Sequence, residues 1–224
     1  MLKRLVLVAA LLSVSGIAAA AKWQVQITNV TPGQTFTPIL TAVHYGSSGV
    51  PQVGAAPSAA LATLAEGGAT GPLGEEILAA RPHGTTIATI DGLLGPGQTA
   101  QTYVRGRPGQ RLTLAAMLIP TNDTFVAIGS VFLPIHGEKT VHALAYDAGS
   151  EPNSQNCADM PGPRCGGQPD SPMSPDDEGF IHVSNGFHDL GTEDGAGNEI
   201  LTPAHYTWNN PVAIVTIRRV YSAD

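Results

Sequence analysis

The chain has 224 residues, with 11 Lys and Arg against 18 Asp and Glu for a formal net charge of −7, and it contains 26 glycines and 18 prolines. That balance offers no basic footprint for a phosphate backbone, so nucleic acid is excluded as the expected partner. The glycine and proline content suits a turn-rich β protein and argues against an α/β enzyme.

Lys3 and Arg4 precede an apolar run from Leu5 to Leu12 and a small-residue end, Ala18-Ala19-Ala20, so residues 1–20 read as a secretory signal peptide. The run is too short to anchor the chain across a bilayer. Removing 20 residues from 224 leaves 204, numbered 21–224, which is one domain of ordinary size. The expected location is the periplasm, the cell surface or the medium, with no transmembrane segment after cleavage. Without the two leader cations the balance is 9 against 18, or −9, and eleven of the acids fall between Asp147 and Glu199, where Arg164 is the opposing cation. Either that half is a solvated acidic face or it holds divalent cations outside the cell.

From Trp23 the sequence alternates as a strand: Trp23, Val25, Ile27 and Asn29 against Gln24, Gln26 and Thr28, ending at Thr31-Pro32-Gly33. A second extended run covers Ile39 to Tyr45. Between Ser58 and Ala80 the spacing of Ala59, Ala60, Leu61 and Leu64, then Leu73, Ile77 and Leu78, predicts short helices broken at Gly67-Gly68 and Gly71-Pro72. Ser58 is the N-cap candidate for the first, and Glu75 and Glu76 read as first-turn acids of the second. This insertion is expected over one end of a sandwich.

Strand patterns return at Thr85–Ile90, Thr99–Arg105, Arg111–Ile119, Phe125–Leu133 and Thr140–Ala145, separated by turns such as Gly95-Pro96-Gly97 and Arg107-Pro108-Gly109. Residues 148–179 form a long polar loop, a length that marks function or disorder. Cys157 and Cys165 are the two cysteines of the chain, and pairing them is the simplest reading for an exported protein. The bridge would contribute roughly 2 to 3 kcal/mol, mainly to that loop. Zinc on the cysteines is the weaker reading, since neither has another cysteine or a histidine at ligand spacing. Phe180–Ser184 and a terminal strand, Pro211–Tyr221, complete an all-β chain of short antiparallel strands.

No G-x-S-x-G elbow and no local Ser, His and acid frame is present, which argues against a nucleophilic hydrolase. His182, His188 and His205 lie in the acidic C-terminal region, but the spacing in HVSNGFH is not H-E-x-x-H. The stronger constellation is Asp123, after Pro120-Thr121-Asn122, together with Asp147 and Glu151 around Ala148-Gly149. Calcium accepts six to eight oxygens in irregular geometry, so two such turns would suit it if they meet. The competing reading has Asp123 capping its own turn while Asp147 and Glu151 are solvated. Gly191–Glu199 lacks the order of an EF-hand loop and reads as a turn, and Asp176-Asp177-Glu178 reads as a solvated patch.

The order ITNVTPGQTFTP, AMLIPTNDTFVAI, AYDAGSEPN, GFHDLG and PVAIVTIRRV resembles the spondin N-terminal domain family, in its compact bacterial form, over Trp23 to Tyr221. The central motifs are a strand ending in Met-x-x-Pro-x-x-Asp-x-Phe and an Asp-Ala-Gly-Ser-Glu turn. The resemblance implies an antiparallel β-sandwich related to C2 domains, with calcium at one end and a role in adhesion. It carries the ligand role onto Asp123, Asp147 and Glu151. Glu151 stands where the family often has Asp, and Thr124-Phe125 stands where animal members have an aromatic pair.

The expectation is therefore an exported, calcium-binding, C2-like β-sandwich that binds and does not catalyse. Its partner would be an extracellular protein or polysaccharide. The rivals are a secreted metal-dependent enzyme using His182, His188 and His205, and a purely structural envelope protein.

Overall fold

The computed structural model describes residues 20–169, 175, 177–187 and 200–221. In chain order these form β1 (Ala21–Asn29), β2 (Thr35–Phe36), β3 (Ile39–His44), α1 (Ala59–Gly67), α2 (Thr70–Ala80), β4 (Thr86–Ile90), β5 (Thr99–Gly106), β6 (Arg111–Ile119), β7 (Thr124–Phe132), β8 (Glu138–Asp147), β9 (His182–Val183), α3 (Pro203–Tyr206) and β10 (Ala213–Val220). The expected strands are present, and β6 has the bounds that its apolar run predicts. The two-residue strand β2 and the single turn α3 are too short to leave a periodic signal.

Every pairing is antiparallel, and the strands run in the order β4-β3-β6-β7-β8-β10-β1-β5, with β2 added to β6 and β9 to β8. β4 and β5 at the two ends of this path lie against each other, so the sheet curls almost into a closed barrel. The antiparallel all-β class holds. The layering differs from an open C2-like sandwich, because one continuous sheet wraps its own interior instead of stacking two.

Alternation along each strand decides what the interior holds. Trp23, Val25 and Ile27 of β1 point inward, as do Val215 and Ile217 of β10 and Leu112, Leu114, Ala116 and Leu118 of β6. On one side of the barrel the outward faces are buried too. Leu40 and Ala42 of β3, Ala115 of β6 and Phe125 and Ala127 of β7 lie beneath Leu61 and Leu64 of α1 and Leu73 and Ile77 of α2. Each large apolar side chain sealed there contributes about 2 kcal/mol. This is why β3 and β6 read as unbroken apolar runs.

The helices thus cover a flank of the barrel, not an end. Ser58 Oγ accepts from the Leu61 N–H at 3.1 Å, as an N-cap should. α2 begins earlier than Gly71-Pro72 suggests, at Thr70, so Glu75 and Glu76 sit past the first turn and do not serve its N-terminus. Among the described residues no helix is long and apolar enough to cross a membrane. The disulfide Cys157–Cys165 is formed, with Cα atoms 4.7 Å apart, and both cysteines pack against the barrel interior.

Candidate metal centre

Two strand-end turns meet at one end of the barrel because β7 and β8 are neighbours and Thr124 pairs with Asp147. The Ala148 N–H donates to the Asp123 carbonyl at 3.2 Å, which ties the second turn to the first. Asp123 Oδ2 accepts from the Ser150 N–H at 2.7 Å, the Ser150 hydroxyl at 3.2 Å and the Glu151 N–H at 3.1 Å. Asp123, Asp147 and Glu151 are 0%, 2% and 1% exposed, so the reading in which they are solvated loops is excluded. The structure brings these three expected residues to one place.

Gly149 makes the turn possible. Its φ is +67°, and a Cβ there would stand 2.5 Å from the Phe180 carbonyl oxygen. The close approach lets the Gly179 N–H donate to the Gly149 carbonyl at 2.8 Å, which carries the returning chain past the site. Glu178 arrives before that contact and His182 after it, in β9, where it pairs with Asp147.

One oxygen or nitrogen each from Asp147, Glu178 and His182 lie within 4.8 Å of one another, close enough to share a metal ion. Asn153 Nδ2 donates to Asp147 Oδ2 and to Glu178 Oε1, both at 2.9 Å, and holds the two carboxylates side by side. His182 Nδ1 lies 3.1 Å from the Val183 carbonyl, which only accepts, so Nδ1 carries the hydrogen. In the neutral ring Nε2 is then an acceptor, and it faces Asp147 Oδ1 at 3.4 Å. Two acceptors face to face need a proton or a metal between them, and a backbone carbonyl on the far nitrogen is how metal-bound imidazoles are commonly held.

The electrostatics agree. Burial first, then the charge of Asp147, pushes the Asp123 carboxyl up to about 8 despite the two backbone N–H donors. Burial likewise raises Asp147, while Asn153 and His182 pull it down. Neither acid pairs with a lysine or arginine among the described residues. Asp123 Oδ1 is buried with no hydrogen-bond partner, so its remaining lone pairs are unsatisfied without a cation.

Two expectations are corrected by this geometry. Glu178 is exposed but is more than a solvated patch, since the chain that returns through the Gly149–Gly179 contact places it beside Asp147. The view that the chain does not catalyse is overturned by the Asp147, Glu178 and His182 set, because two carboxylates and an imidazole are ligands that catalytic metal centres use. Of the histidines, His182 belongs to the centre. His205 is exposed on α3 against Gly33 and lies outside it. His188, Asp176 and the turn Gly191–Glu199 fall outside the described residues.

The signal for Glu178 and Asn153 was weak in sequence. Asn153 lies in the expected loop just after Glu151, and Glu178 precedes a glycine whose partner is another turn glycine 30 positions earlier. No family model matches the chain, and no curated protein matches it.

Proposed function

We propose that this protein is an exported domain that binds one divalent metal ion at the acidic end of its barrel, through Asp147, Glu178 and His182, with Asp123 and Glu151 as a second layer of negative charge. The observation that carries the reading is the buried His182 Nε2, an acceptor turned toward the Asp147 carboxylate. A mixed nitrogen and oxygen set favours zinc, manganese or iron over calcium. Glu178 is exposed and His182 part-buried, so water would reach the ion, which gives the centre the capacity for metal-activated water chemistry. Export rests on the leader sequence.

The second reading keeps calcium and the adhesion role that the spondin resemblance implies. It is favoured by Asp123 Oδ1, an orphaned oxygen beside two other buried carboxylates. Elemental analysis of protein purified without chelator, followed by calorimetric titration of chelated protein with zinc, manganese and calcium, separates the two. Under the first, His182→Ala and Glu178→Gln weaken zinc or manganese binding by roughly a hundredfold, the scale of a lost ligand. Under the second, those variants leave calcium binding intact and Asp123→Asn abolishes it. Asp147→Asn is damaging under both, and a variant protein that binds every ion as the wild type does would sink both.

A further inference from the structure

The end of the barrel opposite the metal centre gathers eight of the nine Lys and Arg among the described residues. Of 11 Lys and Arg residues, Lys3 and Arg4 precede the described residues and Arg164 belongs to the disulfide loop, which leaves eight, and all eight are at this end. Lys22 pairs with Arg105 across β1 and β5, and Arg107 follows where β5 ends. Arg111 opens β6 beside His44, and Arg81 closes α2 near Gly46. Lys139, Arg218 and Arg219 lie where β8 begins and β10 ends, with Glu138 opposite Arg218.

The same end exposes large apolar side chains. Phe132, Ile135 and Tyr221 are 50%, 56% and 60% exposed. The cations stand over the rings: Lys22 Nζ is 3.9 Å from the Tyr103 centroid, and the Arg111 guanidinium is 3.9 Å from that of Phe132. At the same end lies a cleft of about 350 Å³ lined by Arg105, Arg107, Tyr45, Thr85, Thr86 and Gln110, which offers guanidinium and hydroxyl donors to an oxyanion. Ala20, the residue before β1, also lines it.

We propose that this basic, aromatic end docks on an anionic phospholipid bilayer, with the cleft between Arg105 and Arg107 taking a headgroup phosphate. Two observations single out a bilayer. Guanidinium and ammonium groups sit beside protruding Phe, Ile and Tyr side chains, the mixture that suits the boundary between headgroups and acyl chains. The acids concentrate at the far end, so the field of an anionic surface orients the domain with the cleft facing it and the metal centre facing away. The docking does not depend on the metal.

Co-sedimentation of the mature protein, residues 21–224, with vesicles tests this, comparing phosphatidylglycerol in phosphatidylcholine with phosphatidylcholine alone. With the leader absent, vesicle binding reads the barrel itself. Wild-type protein is expected to prefer the anionic vesicles and to be released by about 0.5 M salt, where screening is short-ranged. R105E/R107E should bind about thirtyfold more weakly or worse, on a scale of roughly fivefold per basic residue. R105Q/R107Q should fall between and serves as the readout if charge reversal impairs folding, with circular dichroism checking both. Equal binding of wild type and both variants to anionic vesicles overturns the proposal. So does retention on heparin without vesicle binding, which would give this end to an acidic polysaccharide.

Discussion

At one end of the barrel Asp123, Asp147 and Glu151 are buried together with no lysine or arginine against Asp123 or Asp147 among the described residues, whereas at the other most of the cations are exposed. Arg219 donates to the Ile135 carbonyl and lies near the rings of Trp23 and Tyr221. Arg218 donates to Gln24 Oε1, and the Trp23 indole N–H donates to the Pro134 carbonyl. The basic end keeps its charges in reach of solvent. At the acidic end burial raises both Asp123 and Asp147, and the charge of Asp147 raises Asp123 further, so that end is complete only with a proton or a metal ion.

The largest expected break in this contrast comes from removing metal and changing pH. An acid whose pKa is higher folded than unfolded binds its proton in the folded state. Its stabilisation is full below the unfolded value near 4 and is lost as pH rises through the folded value of about 8. Chelated protein is therefore expected to melt lower at about pH 8 than at about pH 5, by roughly 2 to 10 °C on the usual scale for a chain of this size. Saturating metal should abolish or reverse that fall, because it holds the carboxylates ionised. Calorimetric melts at both pH values, with and without chelator, check this.

Gly149→Ala comes next. The positive φ and the 2.5 Å approach to Phe180 predict a loss of about 3 kcal/mol in chemical denaturation and weaker metal binding, since Glu178 and His182 would be pushed off Asp147.

Asp123→Asn sharpens the contrast through its sign. It should lower metal affinity yet stabilise chelated protein at pH 8, by about 1 kcal/mol, by removing one buried like charge. Urea titrations in chelator test it, and a destabilised variant would mean that Asp123 is held ionised by something other than a metal. The smallest effect is expected at the other end. Arg219→Ala should remove about 1 kcal/mol of stability, the scale of a backbone hydrogen bond and ring contacts, while metal titrations stay as in wild type.

Sequence periodicity exposed what depends on periodicity. Alternation in β1 and β10 and the unbroken run of β6 located the strands, and Ser58 located the helix start. The rolling of the sheet was not legible, because closure is decided by how β4 meets β5, and neither strand records its partner. The inner carboxylates were found since each follows an apolar strand directly. Glu178 was not, because its place depends on the contact between Gly149 and Gly179, which sequence spacing does not encode. The basic end escaped notice for the same reason: its cations are scattered from Lys22 to Arg219 and converge only when strand starts and ends are stacked.

The position of β1 has a consequence in time. It is hydrogen-bonded on one side to β5 and on the other to β10, so the first strand of the barrel and the last share a complete ladder from Lys22↔Val220 to Asn29↔Ala213. No barrel can close while the final residues are unmade or withheld. Contacts between strands so far apart in sequence are slow to form, so the barrel should stay open until β10 has been made. Truncation within β10 would then free one edge of β1 as a template for another copy.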